Sequence, residues 1–257
     1  LVKIFKEKNV MYKNILGLVI LVSTPFLPSL SFAQELPNSS LLVNTQCKIS
    51  HGHSIDDVIA VARAIPKSEG DPNRIFYRTP ISGSNFSDDW VLRSVYWDDL
   101  THWAAASSRE RQQSGPQNHL NELITCDNSN RKFFDNYNIG TGNPYDNGKN
   151  QITGIAARFC TLKAGVTIEE AYQGLSRANA QYDGEHETIM QLSQLKHGSM
   201  PNVEMGTRIT IRLVGKDLVD LSKRLDLMGP RRVGTPDGGV MEHCSDSNIF
   251  MSHVARW

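Results

Sequence analysis

A cysteine followed five residues later by a glycine, then a hydroxyl residue and two acids, occurs twice in this chain. The first block is Cys47, Gly52, Ser54, Asp56 and Asp57; the second is Cys160, Gly165, Thr167, Glu169 and Glu170. Each block is answered downstream by Cys-x-x-Ser-Asn, first as Cys126, Ser129 and Asn130, then as Cys244, Ser247 and Asn248. Duplication at a long period normally marks one structural unit per copy, and here it takes in all four cysteines. The chain is therefore expected to fold as two similar modules.

Residues 1–33 read as an upstream stretch and a cleaved signal peptide. Met11 is a plausible start, Lys13 supplies a positive n-region, and an apolar run from Ile15 to Leu30 is broken by Pro25 and Pro28. Ser31-Phe32-Ala33 then offers small residues where a signal peptidase reads them. The run before Pro25 is shorter than the roughly 20 residues a membrane span needs, so no stable membrane anchor is expected after cleavage. An exported chain, periplasmic or extracellular, meets oxidising conditions, where four cysteines without metal spacing predict disulfides. Removing Lys3, Lys6, Lys8, Lys13 and Glu7 from 27 basic and 27 acidic residues leaves 23 and 26, a net charge of −3. Nucleic-acid binders are more often strongly basic, and no nucleic-acid partner is expected.

Laying one block on the other aligns the elements. Leu41 to Cys47 and Ile155 to Cys160 read as strands. Ser54 and Thr167 sit as N-caps with Asp57 and Glu170 three residues on, the capping-box spacing. Helices follow on Ile55, Val58, Ile59 and Ala62, and on Ile168, Ala171, Tyr172 and Leu175. A second strand is expected over Arg74 to Ile81, with its counterpart near Ser199 to Met205. Third strands fall on Trp90 to Trp97 and Arg208 to Gly215, and second helices start near Asp99-Leu100 and Asp217-Leu218. After Gly115-Pro116 and Gly229-Pro230 come the closing cysteines and last strands, Arg131 to Ile139 and Ile249 to Trp257.

Strand, helix, strand, strand, helix, strand is the order of the ferredoxin-like split unit. In that topology the last strand lies antiparallel beside the first, so the end of strand one adjoins the start of strand four. Of the three pairings four cysteines allow, the duplication then selects Cys47 with Cys126 and Cys160 with Cys244. Two such units, 34–140 and 155–257, joined by the Gly- and Asn-rich linker 141–154, resemble the dimeric α/β-barrel superfamily in fused form. The resemblance implies an α+β fold in which two βαββαβ repeats make a pseudo-dimeric α/β barrel with helices outside. It is also similar to uncharacterised exported bacterial proteins with the same opening motif. It implies no particular chemistry, since this architecture hosts oxygenases, haem enzymes and isomerases.

Candidate site residues come from places where the copies differ. Val91, Arg93 and Val95 alternate onto one face of the third strand and Trp90, Leu92, Ser94 and Tyr96 onto the other, aligned with Arg208, Thr210, Arg212 and Val214. Arg93 thus falls on the helix-covered face, where an unpaired charge is costly, so an ion pair or a pocket is expected around it. Tyr96, Trp97, His102 and Trp103 cluster near the second helix of copy one, where copy two is aliphatic; the cluster reads either as core filling or as a pocket. His51 and His53 flank Gly52 as weak metal candidates without a third ligand, and no metal or cofactor is expected. Gly234, Asp237 and Gly238 match a spacing found in dye-decolourising peroxidases but read as turn residues. No Gly-x-Ser-x-Gly, phosphate loop or His-Glu-x-x-His is present. The leading expectation is an exported soluble module that binds a small ligand or a protein partner. The alternative is a cofactor-independent monooxygenase or isomerase working through Arg93, His102 and Trp103.

Overall fold

The computed structural model describes residues 35–83, 86–112, 118–149, 151–182, 187–198, 206–228 and 239–257. The leader 1–33, Ser199 to Met205, Gly229 and the loop 234–238 lie outside them.

Strands β1 (Ser40–Ile49), β2 (Arg74–Ser82), β3 (Trp90–Trp97) and β5 (Lys132–Ile139) hydrogen-bond in the order β2-β3-β1-β5. Strands β6 (Ile152–Leu162), β7 (Ile189–His197), β8 (Arg208–Gly215) and β10 (Asn248–Arg256) take the order β7-β8-β6-β10. The outer strands of the two sets then meet, β5 on β7 and β10 on β2, all antiparallel. Eight strands therefore close on themselves. Closure matters because it satisfies the backbone groups that an edge strand would expose. The fold is α+β, with helices α1 (Ile55–Ala64), α2 (Leu100–Gln112), α4 (Ile168–Ala180) and α5 (Leu218–Met228), and the short α3 (Asn118–Leu123).

Alternation along each strand divides the core in two. Inward positions pack Leu42, Phe76, Tyr96, Phe134, Ile155, Val214, Phe250 and Val254 into one cluster across the lumen. Outward positions are covered by helices. Val58, Ile59 and Ala62 of α1 meet Tyr77 and Val91; Ala106 of α2 meets Val95 and Trp97. Ala171, Tyr172 and Leu175 of α4, with Leu221 of α5, meet Leu192, Ile209, Ile211 and Leu213.

The shared motif is a helix-entry device. Gly52 and Gly165 have φ of +85° and +79°, and neither would meet a neighbour if given a Cβ. Their backbone conformation, not crowding, demands glycine. Two residues further, Ser54 and Thr167 close matching capping boxes with Asp57 and Glu170. The Ser54 side chain holds the Asp57 carboxyl below its ordinary pKa.

Cys47 is bonded to Cys126 and Cys160 to Cys244, each pair with Cα atoms 4.0 Å apart. The closing cysteines sit in two additional short strands, β4 (Ile124–Cys126) on β1 and β9 (Met241–Cys244) on β6, where they face their partners directly. Two disulfides fit an oxidising compartment. Among the described residues no helix is long and apolar enough to cross a membrane.

Two boundaries differ from the sequence expectation. The strand that follows α4 in the second half is Ile189–His197, and the region near Ser199 to Met205, where a strand was expected, lies outside the described residues. The inward residues of β7 are Ile189, Gln191, Ser193 and Leu195, so a polar lumen layer blurs the apolar alternation that marks a strand. Strand β6 begins at Ile152, inside the segment 141–154 expected as linker.

Candidate functional site

Strand parity sends the five residues expected around a pocket to opposite sides of the sheet. Tyr96 points into the lumen, while Arg93 and Trp97 alternate onto the outer face of β3 and His102 and Trp103 belong to α2 outside it. Trp97 and His102 stack edge to face at 5.2 Å, and His102 Nδ1 is 2.9 Å from Asp98 Oδ2. Trp103 stacks on Phe133 at 4.7 Å. Among the described residues, Arg93 makes no ion pair and its Nε is buried without a hydrogen-bond partner. His51 and His53 are exposed beside the β1–α1 turn. Among the described residues, no three His, Cys, Asp or Glu side chains converge as metal ligands would.

The lumen has a cavity of about 240 Å³ at the end where β1 and β6 finish and β3, β5, β8 and β10 begin. Phe86, Trp90, Leu92, Phe134, Phe159 and Phe250 form its apolar wall, and Asn44, Gln46, Asn130, Thr210, Lys132 and Arg208 supply polar atoms. Phe86 anchors one side, with its ring 4.5 Å from Trp90 and 5.8 Å from Phe250. Phe159 remains 41% exposed, which leaves the mouth open to solvent.

Lys132 and Arg208 form no ion pair with a described residue. Burial lowers the Lys132 pKa below its ordinary value, and the nearby Arg208 charge lowers it further. The Arg208 guanidinium lies 5.8 Å from the centre of the Phe159 ring. Two cations thus stand at the rim of an apolar cavity with no described acid to neutralise them, an arrangement whose field favours negative charge.

One pleat further in, the lumen becomes polar. Arg78 and Arg212 are each 2% exposed. Arg78 Nη2 donates to Tyr96 Oη at 3.2 Å, and Tyr96 donates to Gln191 Oε1 at 3.2 Å. Arg212 donates to Gln191 Oε1 at 3.4 Å, to Asn136 Oδ1 at 2.8 Å and to Ser193 Oγ. All these acceptors are neutral. No aspartate or glutamate occupies an inward position on the eight strands.

The electrostatic consequence is a positive interior. Burial pushes the Tyr96 phenol up, but the fields of Arg78, Arg212 and Arg74 together with the Arg78 hydrogen bond outweigh it, leaving its pKa below the ordinary value. Burial lowers Arg212 to about 10. Tyr145, buried without those hydrogen bonds, is raised to about 12.

Lys132, Arg208, Arg78 and Arg212 did not stand out in the sequence as a site. The one available signal was Arg208-x-Thr-x-Arg212, two arginines sharing a strand face with Thr210 and Val214 while the opposite face is wholly apolar.

No family model matches the sequence, and no curated protein matches it. Among solved structures, an anthrone oxidase-like protein superposes with a TM-score of 0.49 at 10% identity, covering 87% of this chain and 95% of its own. A Lactobacillus acidophilus protein put forward as a monooxygenase gives 0.49 at 10% identity, over 84% and 94%. A variant chlorite dismutase from Candidatus Nitrospira defluvii gives 0.45 at 10% identity, over 84% and 92%. At these values the fold and the site rest on this chain's own strand pairings and side chains.

Proposed function

We propose that this chain is an exported binding protein, made of two ferredoxin-like repeats, 34–140 and 155–257, fused into a pseudo-dimeric barrel. Its ligand is a small amphipathic anion, with an apolar body seated in the mouth of the lumen and a carboxylate held by Lys132 and Arg208. The observation that carries this reading is the pairing of a Phe- and Trp-lined cavity with two cations that no described acid neutralises. The cavity's 240 Å³ leaves room for the apolar body of a small organic acid. The arrangement of the strands in each half, together with the matched caps and disulfides, supports the repeat reading; the disulfides support export.

The alternative of a monooxygenase or isomerase worked by Arg93, His102 and Trp103 gains no specific support. The His102 imidazole is engaged by Asp98, Trp103 is stacked on Phe133, and neither lines the lumen cavity. The test is native mass spectrometry of the protein purified from its own host compartment. A retained small carboxylic acid, released on denaturation, is the expected result. Protein that emerges ligand-free and fails to take up medium-chain acids would remove the proposal.

A further inference from the structure

We infer that the inner layer of the barrel is a second binding site, for a small inorganic anion of about halide size, held between Arg78, Ser252 and Thr153. Ser252 faces Arg78 across the β10–β2 ladder and Thr153 across the β10–β6 ladder, so the three side chains stand side by side on the lumen face of consecutive strands. All three are buried: Arg78 is 2% exposed, Thr153 1% and Ser252 0%. Arg78 Nε, Ser252 Oγ and Thr153 Oγ1 are also buried without a hydrogen-bond partner among the described residues. Adjacent orphaned polar atoms are uncommon in a folded interior and call for a partner.

The chemistry of the missing partner follows from the donor set. The guanidinium N–H can only donate and the two hydroxyls can either donate or accept, so hydrogen bonding alone admits water, but only an anion that accepts from all three also supplies a counter-charge to Arg78. Arg78 is a full charge in a region with no inward carboxylate, and a buried cation without a counter-charge is costly. Near-complete burial restricts the occupant to one or a few atoms. The site borders the mouth cavity, since Leu92 lines that cavity and faces Arg78 in the β2–β3 ladder, but Arg78, Ser252 and Thr153 are not among the residues that line it. It therefore stands independently of the amphipathic ligand proposed for the mouth.

Thermal unfolding at constant ionic strength, with bromide or chloride replacing gluconate, reads the site in the intact protein. The expected result is a saturable rise in Tm with the halides, and in bromide-soaked crystals an anomalous peak within hydrogen-bond distance of Arg78 Nε and Ser252 Oγ. Because replacing Arg78 could unfold the barrel, the diagnostic variants are Ser252→Ala and Thr153→Val, each expected to weaken apparent halide affinity about tenfold, the worth of a hydrogen bond to a charged group. Lys132→Met should leave halide affinity unchanged. The inference is overturned if halide and gluconate give the same Tm, if bromide is found only in the mouth or on the surface, or if Ser252→Ala binds as tightly as the parent. Loss of the halide effect in Lys132→Met would likewise overturn it by placing the anion in the mouth.

Discussion

Tyr96 reports the field inside the barrel. Its neighbours are Arg78 and Arg74 from β2, Arg212 from β8, Gln191 from β7 and the Tyr145 phenol, and the arginines outweigh burial to lower its pKa. A phenol whose folded pKa lies below its unfolded value near 10 adds stability at pH above that unfolded value, and loses it as pH falls through the folded pKa. Ultraviolet difference titration should therefore show one tyrosine ionising before the others, and Tyr96→Phe should abolish that early step. If all tyrosines titrate together near pH 10, the positive interior is refuted. The same residue shows what sequence could reach: strand alternation put Tyr96 on the face opposite Arg93, and the structure agrees. It could not reveal that Arg78, from a different strand, lies 3.2 Å from the Tyr96 hydroxyl. The Tyr96 to Gln191 bond, from β3 to β7, further depends on closure of the two halves, which no local pattern encodes.

Among the elements, the turn from each first strand into its helix was the most legible part of the chain. Gly52 and Gly165, with the capping boxes that follow them, are local devices whose spacing is written directly in the sequence. Gly52→Ala and Gly165→Ala should each cost about 1 kcal/mol, since a Cβ in the left-handed region is penalised even where space is free. Ser54→Ala and Thr167→Ala should each cost about 1 kcal/mol through loss of the cap. Urea midpoints measure all four, and a shift in only one half would argue against equivalent roles. Strand β7 was the least legible element. Gln191 and Ser193 turn inward to serve Arg212, Tyr96 and Asn136, and the polar residues that build the inner layer remove the alternation that announces a strand.

At the scale of the whole molecule, each disulfide ties the end of one barrel strand to a short added strand, closing loops of 79 and 84 residues. On the chain-entropy model, loops of this length stabilise by roughly 4 kcal/mol each. Reduction, or Cys126→Ser and Cys244→Ser together, should lower the urea midpoint steeply; an unchanged midpoint would show that the barrel holds without them. The order of elements, and with it the α+β class, was readable because both copies repeat it. The seams between halves, β5 on β7 and β10 on β2, were not, because neither strand carries a mark that specifies its partner in the other half. Those seams create the lumen, which is why the mouth and its cations appear only in three dimensions. Lys132 and Arg208 are 76 residues apart in the chain and line one cavity.

The central claim is that this mouth captures an apolar acid through Lys132 and Arg208. Calorimetric titration of octanoate and octanol against the parent protein and the Lys132→Met and Arg208→Met variants tests it most directly. The account predicts that the parent binds octanoate more tightly than octanol, and that each variant loses about tenfold in octanoate affinity, as expected for a hydrogen bond to a charged group, with octanol binding little changed. Equal binding of acid and alcohol by the parent, or octanoate affinity untouched by both substitutions, would contradict it.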